Sequence, residues 1–139
     1  MKIGFTCSAF DLCHAGHLLM LEEAKEQCDY LIVGLHTNPQ IDRPQKNKPV
    51  ETTWERYERL KACKYVDEII PYDTEKDLEN ILLSRKIDVR IIGEEYQNKP
   101  FTGDGIVPNY FNRRKHNLSS SSLRQRILQN ENNRNNTNN

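Results

Sequence analysis

Short apolar runs alternate with amphipathic stretches along this 139-residue chain, and that alternation narrows the folds open to it more than any other property. Lys2–Cys7 (KIGFTC), Tyr30–His36 (YLIVGLH), Val66–Pro71 (VDEIIP) and Val89–Gly93 (VRIIG) read as strands, and Ile106–Phe111 as a last, short one. His17–Cys28 sets Leu18, Leu21, Ala24 and Cys28 at helical spacing. Thr52-x-x-Glu55 is a capping box that opens a helix running to about Cys63. Asp73 or Thr74 caps another to about Leu83, and Ser119–Gln129 closes the pattern with a helix. Strands this apolar need cover on both faces. The chain is therefore expected to form one α/β domain over residues 1–129, a doubly wound, mainly parallel sheet with right-handed crossovers. In such sheets ligands bind beyond the carboxyl ends of the strands, so the residues that follow each strand are where function is sought.

Composition removes several alternatives. The chain holds 20 Lys+Arg against 20 Asp+Glu, a formal net charge of zero. A general nucleic-acid binder carries a basic excess, and the short run Arg113-Arg114-Lys115 is too little to replace it. No apolar run approaches the ~20 residues of a membrane span. No basic-then-apolar leader opens the sequence, so a cytoplasmic protein with neither nucleic-acid nor membrane partner is expected. Cys7, Cys13, Cys28 and Cys63 lack the paired short spacing of a zinc site and are expected to be reduced, structural thiols. The Asn-rich tail, residues 130–139, is almost without apolar residues and is expected to be disordered.

The segment Ser8-Ala9-Phe10-Asp11-Leu12-Cys13-His14-Ala15-Gly16-His17 lies between the first strand and the first helix. His14 and His17, three apart in a first helical turn, point to the same side. Gly16 lets a ligand approach the backbone closely. Unpaired N–H groups at the helix start add a phosphate site. On spacing alone, one capping and one exposed histidine is an equally simple account of the pair. A metal site lacks a third ligand at suitable spacing.

His14-Ala15-Gly16-His17 resembles the H-x-G-H signature of the nucleotidyltransferase superfamily. Arg114, followed by Leu118-Ser119-Ser120-Ser121 and Arg126-Ile127, resembles the superfamily's second signature, an Arg and then Ile-Ser-Thr-Thr entering the last helix. With Asp29-Tyr30-Leu31-Ile32-Val33 and Lys64-Tyr65-Val66-Asp67-Glu68-Ile69-Ile70 between them, the chain to about Leu128 is most similar to the glycerol-3-phosphate cytidylyltransferase family, small Rossmann-like domains.

The resemblance implies condensation of CTP with a phosphorylated small alcohol, glycerol 3-phosphate first among them, to a CDP-alcohol and pyrophosphate. The route is in-line attack on the α-phosphorus by a phosphate monoester that is already dianionic near neutral pH. Related adenylyltransferases that act with ATP on sugar phosphates share both signatures. By the same resemblance His14, His17, Lys46 and Arg114 are the catalytic groups. Ala9, Phe10, Asp11, Gly16, Glu95, Tyr96, Ser119, Ser120 and Ser121 bind the nucleotide, and Arg56 and Lys76 meet the acceptor. Mg²⁺ is held through the triphosphate rather than by protein side chains, and a homodimer is expected. The phosphate-handling residues match best. Ala9 replaces the usual Thr, Pro44 falls near where the family has a second loop lysine, Glu95 replaces Asp, and Lys115-His116-Asn117 replaces Thr-Glu-Gly. The parts that choose base and acceptor are those that depart.

Overall fold

Each apolar run becomes a strand of one parallel sheet, the first three amphipathic stretches become crossover helices, and the last becomes a C-terminal helix. In the computed structural model, which describes residues 1–114 and 116–137, the order is β1 (Ile3–Ser8), α1 (Ala15–Glu26), β2 (Tyr30–His36), α2 (Thr53–Lys61), β3 (Glu68–Tyr72), α3 (Glu75–Ser84), β4 (Val89–Gly93), β5 (Asn109–Asn112) and α4 (Ser120–Thr137). Single 3-10 turns occupy Asp11–Cys13 and Glu94–Tyr96. The five strands run β3-β2-β1-β4-β5, and every adjacent pair is parallel. This is the doubly wound, Rossmann-like arrangement expected from the pattern.

Alternation along the strands divides the core in two. Leu31, Val33 and Leu35 of β2 join Leu21 and Ala24 of α1 and Leu60 of α2 on one face, with Val89 and Ile91 of β4. Ile32 of β2 and Phe5 of β1 face the other way, against Leu78 and Leu82 of α3 and Tyr72. Arg90 lies between Val89 and Ile91 in β4, so it faces the α3 side. Thr52 caps α2, its hydroxyl accepting from Glu55 N at 3.2 Å while the Glu55 carboxylate accepts from Thr52 N at 3.0 Å. Of the two candidate caps for α3, Thr74 takes the position, with the same reciprocal bonds to Asp77. The four cysteines are free and partly buried.

Several boundaries differ from the sequence pattern, β3 for example running Glu68–Tyr72 rather than Val66–Pro71, and three of them have a local cause. α1 begins at Ala15, two residues before His17, because the His14 side chain itself caps it. β5 begins at Asn109 rather than Ile106. Gly103 and Gly105 take positive φ there, and Pro108 has no N–H to give a ladder. α4 continues to Thr137, so residues 130–137 are helical where disorder was expected. Neither Gly nor Pro follows Gln129 to stop the helix, and adding a residue to an existing helix is far easier than starting one. Residues 138–139 of that tail and Lys115 of the basic run lie outside the described residues. Among the described residues no helix is long and apolar enough to cross a membrane.

Candidate active site

The carboxyl ends of β1, β2 and β4 open into a cleft of about 510 Å³. The loop after β1 forms its floor through two non-glycine residues in the left-handed region, Phe10 (φ 51°) and Leu12 (φ 63°). Such residues persist only where their surroundings hold them. Two buried carboxylates do so here. Asp11 accepts from Val50 N at 2.9 Å and Glu51 N at 3.0 Å, and Glu51 in turn accepts from Leu12 N at 2.7 Å. Arg59 Nε closes the pair from α2, 2.6 Å from the second Glu51 oxygen.

The histidines sit on this floor in a reciprocal cap. His14 Nδ1 accepts from Gly16 N at 3.1 Å, and His17 Nδ1 accepts from His14 N at 3.2 Å. Each neutral ring therefore carries its proton on Nε2. The rings stack with centroids 4.0 Å apart, and His17 also packs on the buried Phe10 ring at 5.3 Å. Burial, then the neighbouring His14, brings the His17 pKa down to about 4, against a weaker pull from Asp11. Burial, His116 and Arg114 lower that of His14. Both rings are thus neutral hydrogen-bond donors near pH 7. Gly16 is needed beneath them, since a Cβ there would come 2.8 Å from His116 Cε1 and 2.9 Å from His14 Cε1.

The second signature closes the opposite wall. Ser119 caps α4, its hydroxyl accepting from Ser122 N at 3.0 Å, and Ser120 Oγ donates to the Asp11 carbonyl at 2.9 Å. Ser120 thus docks α4 against the β1 loop, and Ser119 and Ser120 line the cleft at the start of that helix. Arg114 lines the cleft and donates from Nη2 to the Leu118 carbonyl at 2.6 Å.

The sequence-predicted residues are brought together with few exceptions. Ala9, Phe10, Asp11, His14, Gly16, His17, Lys46, Glu95, Tyr96, Arg114, Ser119 and Ser120 all line the one cleft. The Glu95 carboxylate folds back over Gly93, where a Cβ would collide with it. Ser121 lies outside, its hydroxyl accepting from Arg124 Nη2 at 3.0 Å. Arg56 and Lys76 do not line the cleft either. Arg56 is buried, and in place of an acceptor phosphate it meets the carbonyls of Glu51, Ala9, His36 and Thr37 at 2.7–3.2 Å. It ties the ends of β1 and β2 to α2, a use of arginine that no local pattern reveals. Lys76 is exposed on α3, 3.9 Å from Glu79.

Arg90, His36, His116 and Arg124 are among the cleft residues that the sequence reading did not assign to the site. Arg124 reaches Asp11 Oδ2 at 3.5 Å. His116 Nδ1 accepts from Leu118 N at 3.0 Å, so a third imidazole presents Nε2–H beside the first two. A charged residue inside the apolar run VRIIG was the one available signal for Arg90. Among the described residues no three His, Cys, Asp or Glu side chains gather at metal-binding distance, and both Asp11 oxygens already accept backbone N–H groups.

A family model described as cytidylyltransferase-like matches residues 5–126. The chain is 35% identical over 111 residues to "Bifunctional protein HldE" of Caulobacter vibrioides, covering 79% of this chain and 23% of that protein. It is 33% identical over 136 residues to "Probable ethanolamine-phosphate cytidylyltransferase" of Encephalitozoon cuniculi, covering 93% of this chain and 41% of that protein. The chain therefore spans well under half the length of these relatives. The crystal structure of the lipopolysaccharide core biosynthesis protein from Thermoplasma volcanium shares the fold, with TM-score 0.60 and 20% identity over 93% of this chain and 88% of that one. With both signatures meeting in one cleft and the family model spanning nearly the whole sheet, the chain belongs to the cytidylyltransferase-like family.

Proposed function

We propose that the protein condenses CTP with a phosphorylated small alcohol, glycerol 3-phosphate being the first to test, and releases pyrophosphate. The observation that carries this reading is the reciprocal histidine cap, which fixes both Nδ1 atoms as acceptors and leaves two neutral Nε2–H donors. A group that must stabilise charge growing on a phosphate oxygen needs to be a donor held in place, and a dianionic attacking phosphate needs no base. In line with this, the nucleophilic oxygen comes from the acceptor. It bonds to the α-phosphorus as the bond to pyrophosphate breaks, and the electron pair leaves with the pyrophosphate.

In this reading His17 and His14 hold the α- and β-phosphates, and Lys46 and Arg114 supply positive charge. The first turn of α4 receives the β- and γ-phosphates, and Glu95 and Tyr96 lie where base and sugar are read. Mg²⁺ carried by the triphosphate would offset its charge, and in this reading no described side chain is assigned to hold the ion. The homodimer implied by the resemblance is part of the same proposal, tested by sedimentation.

A second reading, ATP with a sugar phosphate, is favoured by the 35% identity to the HldE protein. The two are separated by pyrophosphate release with Mg²⁺, comparing CTP and ATP with glycerol 3-phosphate, ethanolamine phosphate and a hexose 1-phosphate. His17→Ala is the blank. Release with CTP that needs both acceptor and His17 supports the first reading. Release with ATP alone supports the second, and release that survives in His17→Ala overturns the mechanism.

A further inference from the structure

On the α3 side of the cleft lies a buried charge to which the nucleotide contacts proposed above give no role. Arg90 is 4% exposed. Its Nη1 donates to the Thr102 carbonyl, its Nη2 lies 3.8 Å from Cys7 Sγ, and its guanidinium lies 5.2 Å over the Phe101 ring. None of these partners is an anion, and among the described residues Arg90 has no ion pair. The turn beside it is close-packed: Gly103 has φ 79°, and a Cβ there would collide with Leu82 Cδ1 and come 3.1 Å from Arg90 Nη1. Elsewhere in the same cleft, at the end of β2, His36 is 8% exposed and stacks on Tyr72 at 4.7 Å, and its Nε2 is buried with no hydrogen-bond partner. Glu75 also faces this part of the cleft, with Arg43 as its counter-charge at 3.8 Å. A buried cation and a buried orphan nitrogen each cost free energy until a ligand satisfies them. Both line the same cleft as His17.

Building on the nucleotidyl-transfer reading above, we propose that Arg90 and His36 form the acceptor subsite and that this subsite takes an anionic group of the acceptor. That anion is either the attacking phosphate itself or a second phosphate or carboxylate at the acceptor's far end. Arg90 is then the residue that admits phosphorylated acceptors by charge, and His36 adds one hydrogen bond to an acceptor oxygen.

The test compares wild type, Arg90→Lys, Arg90→Met and His36→Asn. Acceptor KM is measured with glycerol 3-phosphate, ethanolamine phosphate and 3-phosphoglycerate, and nucleotide Kd by calorimetry on the same proteins. Arg90→Met is expected to raise acceptor KM about ten- to hundredfold while nucleotide Kd stays within about twofold, with Arg90→Lys recovering part of the loss. His36→Asn, which leaves Arg90 in place, is expected to raise acceptor KM by a smaller factor. An equal effect on all three acceptors identifies the attacking phosphate. An effect confined to 3-phosphoglycerate identifies a second anion. Unchanged acceptor KM in both Arg90→Lys and His36→Asn, or a nucleotide Kd that rises as much as acceptor KM, overturns the proposal. If none of the acceptors turns over, the transfer reading fails separately. The subsite is then judged by titrating 3-phosphoglycerate into nucleotide-bound protein: weaker binding by the Arg90 variants sustains it, and binding equal to wild type, or none by wild type, overturns it.

Discussion

Acidification should weaken this protein through His17, and the size of the effect follows from its burial. In the fold the ring is neutral, with a pKa of about 4, whereas in the unfolded chain it takes its proton near pH 6.5. Between those values the unfolded state binds the extra proton, so stability falls as pH falls. The His17 contribution is complete above about pH 6.5 and gone below about pH 4. From pH 7.5 to pH 5 the loss works out at about 2 kcal/mol, and over the full interval at about 3 kcal/mol. His14 and His36 are shifted in the same direction, so the wild-type slope alone does not isolate His17. His17→Gln does, because glutamine at the third helical position can still accept from His14 N and preserve the cap. Urea unfolding of both proteins at pH 7.5 and pH 5 gives the double difference. We expect the glutamine variant to lose about 2 kcal/mol less than wild type. Equal losses in the two proteins would mean that His17 is not held neutral by the fold, and the assignment of its Nδ1 as the acceptor in the cap would fall with it.

Gly16→Ala should leave the melting temperature within a few degrees, since alanine favours the helix by about 1 kcal/mol over glycine. Nucleotide affinity should drop about tenfold as the new methyl displaces His14 and His116, and calorimetry showing wild-type affinity would refute the cradle. Arg56→Met should destabilise by about 3–5 kcal/mol, because four carbonyls lose their donor, and a loss below about 1 kcal/mol in urea would show those bonds to be replaceable. Asp11→Asn should cost about 1–3 kcal/mol by weakening the bonds from Val50 and Glu51 N and releasing Arg124. Unaltered urea midpoints would assign the loop's hold to Glu51 instead.

The fold was legible wherever the signal was local. Tyr30–His36 and Val89–Gly93 have the expected bounds because each is a dense apolar run, and Thr52 and Thr74 cap helices because their partners lie three residues away. The histidine pair was legible, with one ring as a cap, but not the reciprocal cap that uses both, since the second bond depends on how the chain enters the helix. Arg56 was misread for a physical reason. An arginine that binds ligand and one that gathers carbonyls look alike in sequence, and only the convergence of Ala9, His36 and Glu51 separates them. Arg90 and His36 were hidden because each lies inside a run that reads as strand. The helical continuation past Gln129 was missed because composition speaks to packing, while a helix already begun needs only the absence of a stop.

The strand order also dictates a timetable for biosynthesis. β1, the middle strand, ends at Ser8, and its neighbour β4 is not complete until Gly93. At about 5–20 residues per second the ribosome separates the two by roughly 4–17 s. In that interval β1 can join β2 and β3 but keeps an unpaired apolar edge, the kind of surface that chaperones and neighbouring chains find first. Catalytic competence comes later still, because Ser120 and Arg124 reach Asp11 only when the start of α4 has emerged. The nascent chain thus passes through a half-sheet with a formed histidine loop and no far wall before it can hold a nucleotide.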